Sequence, residues 1–266
     1  GFIIVHPEGT LDNSGATHWN VGWGGSTIDD IGFTSALIDS IAAEYSINQD
    51  RVYSTGMSNG GFMSYQLACE LSDRIAAIAS VTGSMNLGWF NSCNPSHPMP
   101  VMEIHGTLDP TVPYNASSFT ESIPNIMDFW KNFNNCNSTA IVTNVPNTNT
   151  ADGCTAEHQI WENGSNGVAV EHYKIIDGEH SWPGALFPNG ITNQDINAAE
   201  KIWEFFNNYD INGLINPTNI KNITTEKSAK LIKVVDVLGR VTIPKPNTPL
   251  FYIYKDGTVE KRILVK

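Results

Sequence analysis

A serine held between glycines on a strand-to-helix turn constrains this chain more than any other feature. Gly56-Met57-Ser58-Asn59-Gly60 follows a short β-branched and aromatic run, residues 51–54, and precedes a helix-like run from Gly61 through Phe62, Met63, Tyr65, Leu67 and Ala68. Such a turn forces tight backbone packing, so small residues must flank the serine. It also lifts the hydroxyl out of the fold at a helix N-terminus, where backbone N–H groups favour developing negative charge. A plain Gly-rich turn is the bland alternative. The flanking strand and helix patterns favour a nucleophile.

The rest of the pattern repeats strand then helix. Residues 2–5 read as a short buried strand ending at Pro7. Asp29 and Asp30 open a helix carrying Phe33, Leu37, Ile38 and Ile41 on one face. Strands are expected at 75–81, 101–105 and 168–175, and helices at 126–133 and 197–209. This alternation implies an α/β fold with a mostly parallel sheet and helices on both faces. A chain opening on an interior strand also suggests an N-terminally incomplete domain, with strands missing upstream of Gly1.

Charge divides the chain. Residues 1–212 hold five of the 15 Lys and Arg and 23 of the 27 Asp and Glu, a net charge of −18. Residues 213–266 hold the other ten basic and four acidic groups, a net charge of +6. The expected organisation is a catalytic domain over 1–212, a polar linker over 213–230 and a small antiparallel β unit over 231–266. The overall charge of −12 argues against a nucleic-acid partner, and no apolar run is long enough to span a membrane. The four cysteines lack metal-ligand spacing, so zinc is not expected. An even number suggests export and two disulfides. Cys69–Cys93 with Cys136–Cys154 closes the shortest loops, though free buried thiols remain the alternative.

A serine nucleophile needs a base, and the base needs an orienting carboxylate. In strand–helix architectures these follow in the order Ser, acid, His, in loops at the carboxyl ends of later strands. Asp109, in the loop after strand 101–105, fits the acid, against a reading as a turn aspartate. His180, after strand 168–175, fits the base. His105, at a strand end near the site, reads as a supporting residue, and His158 and His172 as surface or sheet positions. The backbone N–H of Asn59 is the expected oxyanion donor. No cofactor is required.

Several segments together resemble the secreted polyhydroxybutyrate depolymerase and feruloyl esterase family of α/β-hydrolases. They are Gly1-Phe2-Ile3-Ile4-Val5-His6-Pro7-Glu8-Gly9, Trp19-Asn20-Val21-Gly22, Asp29-Asp30-Ile31-Gly32-Phe33, the stretch around Ser58, His105-Gly106-Thr107-Leu108-Asp109-Pro110, and His180-Ser181-Trp182-Pro183-Gly184. The resemblance implies an α/β-hydrolase fold and a Ser58–His180–Asp109 triad. It implies an ester substrate, either a polyhydroxyalkanoate-type polyester or feruloyl and acetyl esters of plant polysaccharide. It places Met57 beside the nucleophile and Trp182 near the acyl group, with core packing as the equal alternative for Trp182. Trp23, in the Trp- and Gly-rich loop, suits a flat or aromatic acyl group. The second oxyanion donor of the family is expected upstream of Gly1. Where many relatives have a Cys-Cys pair, this chain reads Trp23-Gly24-Gly25. The tail is similar to the C-terminal sorting domain of type IX secretion, which implies the secretion machinery as a partner and a secreted or cell-surface protein of a Bacteroidetes-type bacterium. A carbohydrate-binding β module is the alternative for the tail. For the whole chain, the alternatives are a binding protein on an inactive hydrolase scaffold and a prolyl-oligopeptidase-like serine peptidase.

Overall fold

The computed structural model describes residues 1–12, 14–23, 26–215, 231–236, 239–244, 248–255 and 259–263. Most of the expected linker, the turns at Leu238 and at Asp256-Gly257, the ends of two tail strands and Gly24-Gly25 lie outside these residues. Two compact units separate at Ile215 and Asn216.

In the first unit a two-residue hairpin, β1 (Thr10–Leu11) and β2 (Thr17–His18), precedes α1 (Asp30–Glu44). A 3-10 turn (Gln49–Arg51) then leads into β3 (Tyr53–Met57), α2 (Asn59–Glu70), β4 (Ala77–Val81), α3 (Leu87–Phe90), β5 (Val101–Gly106) and α4 (Ile123–Phe133). After these come β6 (Ile141–Asn144), β7 (Thr155–Trp161), β8 (Val170–Ile176), α5 (Ala198–Phe206) and a short hairpin, β9 (Tyr209–Asp210) with β10 (Gly213–Leu214). The central sheet has the order β3-β4-β5-β8-β7-β6. β3, β4, β5 and β8 run parallel, while β7 and β6 form an antiparallel hairpin on the far edge.

Burial explains the layers. β4 and β5 are buried at every position, as expected of strands covered on both faces. One face packs on α2 and α4 through Phe62, Ile123, Ile126 and Trp130. The other packs on α5 through Ile202, Phe205 and Phe206. α1 starts where the sequence predicts, with the Asp29 side chain capping Gly32 N–H at 2.8 Å. Its apolar face is only partly covered: Ile38 is buried while Phe33 is exposed.

Three expectations need correction. Residues 2–5 form no strand, and Phe2, Ile3, Ile4 and Val5 are all exposed. A strand requires hydrogen-bonding neighbours, and this run pairs with none; Phe2 instead rests on Trp203 of α5, with ring centroids 4.2 Å apart. The sequence reading assigns no element between 133 and 168, yet the β6–β7 hairpin lies there, with all four residues of β6 exposed. Cys136 and Cys154 are free thiols. Cys136 packs with the α2 and α4 side of the sheet and Cys154 with the α5 side, so the sheet separates them. Cys69 and Cys93 form a disulfide, with Cα atoms 4.9 Å apart.

The second unit contains an antiparallel sheet of β11 (Leu231–Val235), β12 (Pro249–Tyr254) and β13 (Val259–Ile263). Val234, Leu250 and Tyr252 form its small core.

The cysteine arrangement makes a simple prediction. Unfolded without reductant, the chain should take up two equivalents of maleimide by intact mass, and four after reduction. An uptake of zero before reduction would place a second disulfide at Cys136 and Cys154.

Candidate active site

The carboxyl ends of β3, β4, β5 and β8 lie along one edge of the sheet, and the candidate catalytic residues sit on the loops leaving them. Ser58 stands between β3 and α2 with φ 54° and ψ −118°, a conformation that non-glycine residues rarely hold. Close packing holds it there. The Ser58 N–H donates to Val81 O at the end of β4 at 2.8 Å. A Cβ on Gly56 would stand 2.6 to 2.8 Å from the Gly60 backbone, and one on Gly61 would stand 2.9 Å from Gly83 Cα. The glycines are therefore required by close approach of the backbones.

Ser58 occupies the N-cap of α2, yet its side chain makes no capping bond. The caps of α1, α3, α4 and α5 (Asp29, Asn86, Ser122 and Asn197) all accept one. The strained backbone turns the Ser58 hydroxyl away from the helix it precedes. Among the described residues, neither the Ser58 hydroxyl nor the Asn59 N–H has a hydrogen-bond partner, while Gly61 and Phe62 N–H close on Ser58 O. The Asn59 side chain is engaged differently: it accepts from Trp19 N–H at 2.7 Å and donates to Trp19 O at 3.0 Å. This double bond pattern pins the Trp19 loop beside the turn. Pro7, Glu8, Gly9, Thr17, His18 and Met57 line an open groove of about 290 Å³ next to it.

Asp109 and His180 are joined. His180 Nδ1 lies 2.7 Å from Asp109 Oδ2. A carboxylate only accepts, so Nδ1 carries the proton and the neutral ring presents a lone pair at Nε2. The other carboxylate oxygen accepts from Thr111 and Val112 N–H, each at 2.8 Å. Burial pushes the Asp109 carboxyl up, but the bonds from His180, Val112 and Thr111 outweigh it and hold it below the usual carboxylate range. The two loops are laced together: Thr107 N–H donates to Ile175 O at 2.8 Å, Leu108 N–H to Gly178 O at 3.0 Å, and Asp177 N–H to Thr107 Oγ at 2.8 Å. No hydrogen bond closes between Ser58 Oγ and His180 Nε2, a distance that often tightens only with substrate bound.

The remaining expected site residues fare differently. Trp23 is half exposed and meets Phe62 of α2 edge-to-face, with centroids 4.8 Å apart. Met57 borders the groove. Trp182 packs against the α5-side core, which favours its packing alternative. No cluster of His, Cys, Asp and Glu among the described residues could hold a metal.

Beneath the site lies a buried polar layer in which the sequence singles out His105 as a supporting residue and His172 only as a surface or sheet position; His172 lies buried on β8. Tyr65 OH donates to Glu103 Oε2 at 2.8 Å, and His105 Nδ1 meets Glu103 Oε1 at 2.9 Å. In the neighbouring strand, His172 Nδ1–H donates to Glu103 O at 3.0 Å and Nε2 accepts from Tyr114 OH at 3.1 Å. Burial lowers His172 to about 3, so it is neutral in the folded protein. Thr82, also at a strand end, has φ 50°. Glu103 and His105 alternate on one strand, and two charged groups in an otherwise apolar buried run were the available signal.

A model of the phospholipase/carboxylesterase family matches residues 29–142, a stretch that includes Ser58 and Asp109. The chain is 28% identical over 217 residues to the bifunctional acetylxylan esterase/xylanase XynS20E of Neocallimastix patriciarum, covering 80% of this chain and 27% of that protein. It is 30% identical over 193 residues to feruloyl esterase B of Piromyces equi, covering 68% of this chain and 34% of that protein. A probable feruloyl esterase C of Aspergillus terreus is 30% identical over 205 residues, covering 77% and 64%. The chain thus spans about a quarter to a third of the length of the first two relatives.

Two outcomes follow for stability. Gly56→Ala should destabilise the fold by about 1–3 kcal/mol, read from the urea midpoint, because the Gly60 backbone leaves no room for Cβ. His172 is neutral when folded but charges when unfolded, so its contribution is present above about pH 6.5 and lost as pH falls towards 3. Unfolding free energy should fall there by up to about 1.4 kcal/mol per pH unit from this group, and His172→Gln should flatten that slope. The chain has the α/β-hydrolase fold, and its relatives over that fold are carboxylic ester hydrolases.

Proposed function

We propose that this chain is a serine carboxyl-ester hydrolase that works through an acyl-enzyme. Ser58 attacks the ester carbonyl while His180 Nε2 takes its proton. Asp109 orients the imidazole and stabilises its cation. The Asn59 N–H receives the tetrahedral oxyanion. His180 then protonates the departing alcohol, and water releases the acid with His180 again as base. The 2.7 Å Asp109–His180 bond carries this reading, because it sits on the same sheet edge as a serine hydroxyl that no capping bond occupies.

The favoured substrates are feruloyl or acetyl esters of plant polysaccharide, in keeping with the names of the relatives. A polyhydroxyalkanoate-type polyester is the second reading. Leu186 and Phe187, in the loop after His180, are 90% and 92% exposed and would suit an apolar polymer surface. The scarcity of basic groups in residues 1–212 leaves little to grip a peptide carboxylate, which disfavours a peptidase. The Cys69–Cys93 disulfide supports an exported protein, and no helix among the described residues is long and apolar enough to cross a membrane. The tail, residues 231–266, is read as a sorting unit for type IX secretion.

Hydrolysis of methyl ferulate and acetylated xylan, compared with clearing of a polyhydroxybutyrate suspension, separates the two substrate readings. Ser58→Ala should lower kcat by at least about 10⁴-fold, and Asp109→Asn by about 10³- to 10⁴-fold. Unlabelled Ser58 after exposure to an active-site phosphonate would instead support an inactive scaffold.

A further inference from the structure

We propose that His105, backed by Glu103, is a positioning residue for the triad, holding the Asp109 carboxylate ionised and aimed at His180. Its catalytic consequence rests on the esterase reading above. The geometry of the pair does not.

His105 is fully buried on β5, and both ring nitrogens are engaged. Nε2 lies 2.8 Å from Val112 O and 3.5 Å from Asp109 Oδ2. Both are acceptors, so Nε2 must carry a proton. Nδ1 faces Glu103 Oε1 at 2.9 Å, and the other carboxylate oxygen already accepts from Tyr65 OH. One further proton therefore lies in the Nδ1···Oε1 bond. Burial alone would drive His105 towards neutrality, but Glu103 and the Val112 carbonyl outweigh it and raise its proton affinity. With that proton on the ring, His105 is a cation next to Asp109, and its counter-ion Glu103 lies on the opposite side of the ring.

Asp109 Oδ2 is thus approached from two sides. His180 Nδ1–H donates from the solvent side, while the His105 ring, whose Nε2–H donates to Val112 O, stands with Nε2 3.5 Å from the same oxygen on the core side. The other titratable groups around this layer are Tyr114, whose ring centroid is 6.0 Å from that of His105, and His172, which is neutral above about pH 3. Burial pushes Tyr114 up to about 12. Neither changes charge where an esterase works. Val112 links the two halves: its N–H donates to Asp109 Oδ1 and its carbonyl accepts from His105. A serine-to-histidine relay needs an ionised, fixed carboxylate in a site from which water is largely excluded. Burial opposes that ionisation, and the bonds from His180, Val112 and Thr111 are the main forces against it. His105 adds a further positive charge from inside the fold, on the side of the carboxylate that His180 does not reach.

Glu103→Gln is the discriminating variant. The glutamine amide can donate to Nδ1, so the shape and the Nε2–H are kept, but the reason for His105 to hold a second proton is gone. The test measures kcat/KM against pH for a p-nitrophenyl ester in the full chain, its Glu103→Gln variant and its His105→Gln variant. Both variants should move the acid limb upward by about one pH unit, mainly in kcat with KM little changed, and His105→Gln should also lower the plateau about tenfold. An unshifted acid limb in variants of native-like melting temperature would overturn the proposal. A second readout needs no turnover. The downfield proton resonance of His180 Nδ1–H, followed in the Ser58→Ala background, should be lost at higher pH in either variant than in its parent. If the parent hydrolyses no ester yet this resonance shifts, the positioning role stands and the esterase reading fails. If the parent is active and neither the limb nor the resonance moves, His105 is structural only.

Discussion

The left-handed backbone at Ser58 is the constraint on which the rest of the site depends. A serine at φ 54° costs on the order of 1–3 kcal/mol, and the surroundings must make every alternative worse. Gly56, Gly61 and Gly83 let three stretches of backbone approach to distances that a Cβ at any of them would forbid. The bond from Ser58 N–H to Val81 O ties the turn to the next strand. The result is a helix whose N-cap serine does not cap, leaving its hydroxyl uncommitted.

Around this fixed point the parallel sheet acts as a spacer. β5 and β8 are direct neighbours with six residues in register, so the loops leaving them start side by side. Backbone bonds between those loops then set the Asp109–His180 separation. The close approach of Gly106 to Gly178, where a Cβ would meet the Gly178 carbonyl, shows how little slack remains. A polar layer lies below Asp109 and His180 within the buried part of the sheet. Tyr65 from α2, Glu103 and His105 from β5, and His172 from β8 satisfy one another, which is the condition for burying such groups without a large penalty.

Local chemistry made much of this legible in the sequence. The glycine pattern at Ser58 demands a tight turn, Asp29 caps α1 as its position before Asp30 suggests, and apolar periodicity locates β4, β5, β8, α4 and α5 to within a few residues. Where the sequence misled, the reason was missing context. Residues 2–5 have strand composition, but composition cannot supply a neighbouring strand. The β6–β7 hairpin is held by pairing to β8, a long-range contact with no local signature. Cys136 and Cys154 are near in sequence but lie against opposite faces of the sheet.

By itself the sequence determined the α/β order, the tight glycine-flanked turn at Ser58, and the order of Ser58, Asp109 and His180 at strand ends, because each follows from residue type and spacing. Only the tertiary structure decided that Asp109 and His180 meet at 2.7 Å, that Cys69 and Cys93 pair while the other cysteines stay free, and that His105 stands behind Asp109. Those facts depend on strand order and register, which bring together Asp109 and His180, 71 positions apart in the chain. No local pattern encodes that closure. It arises when buried strands satisfy their backbone bonds in the one register that also buries their side chains.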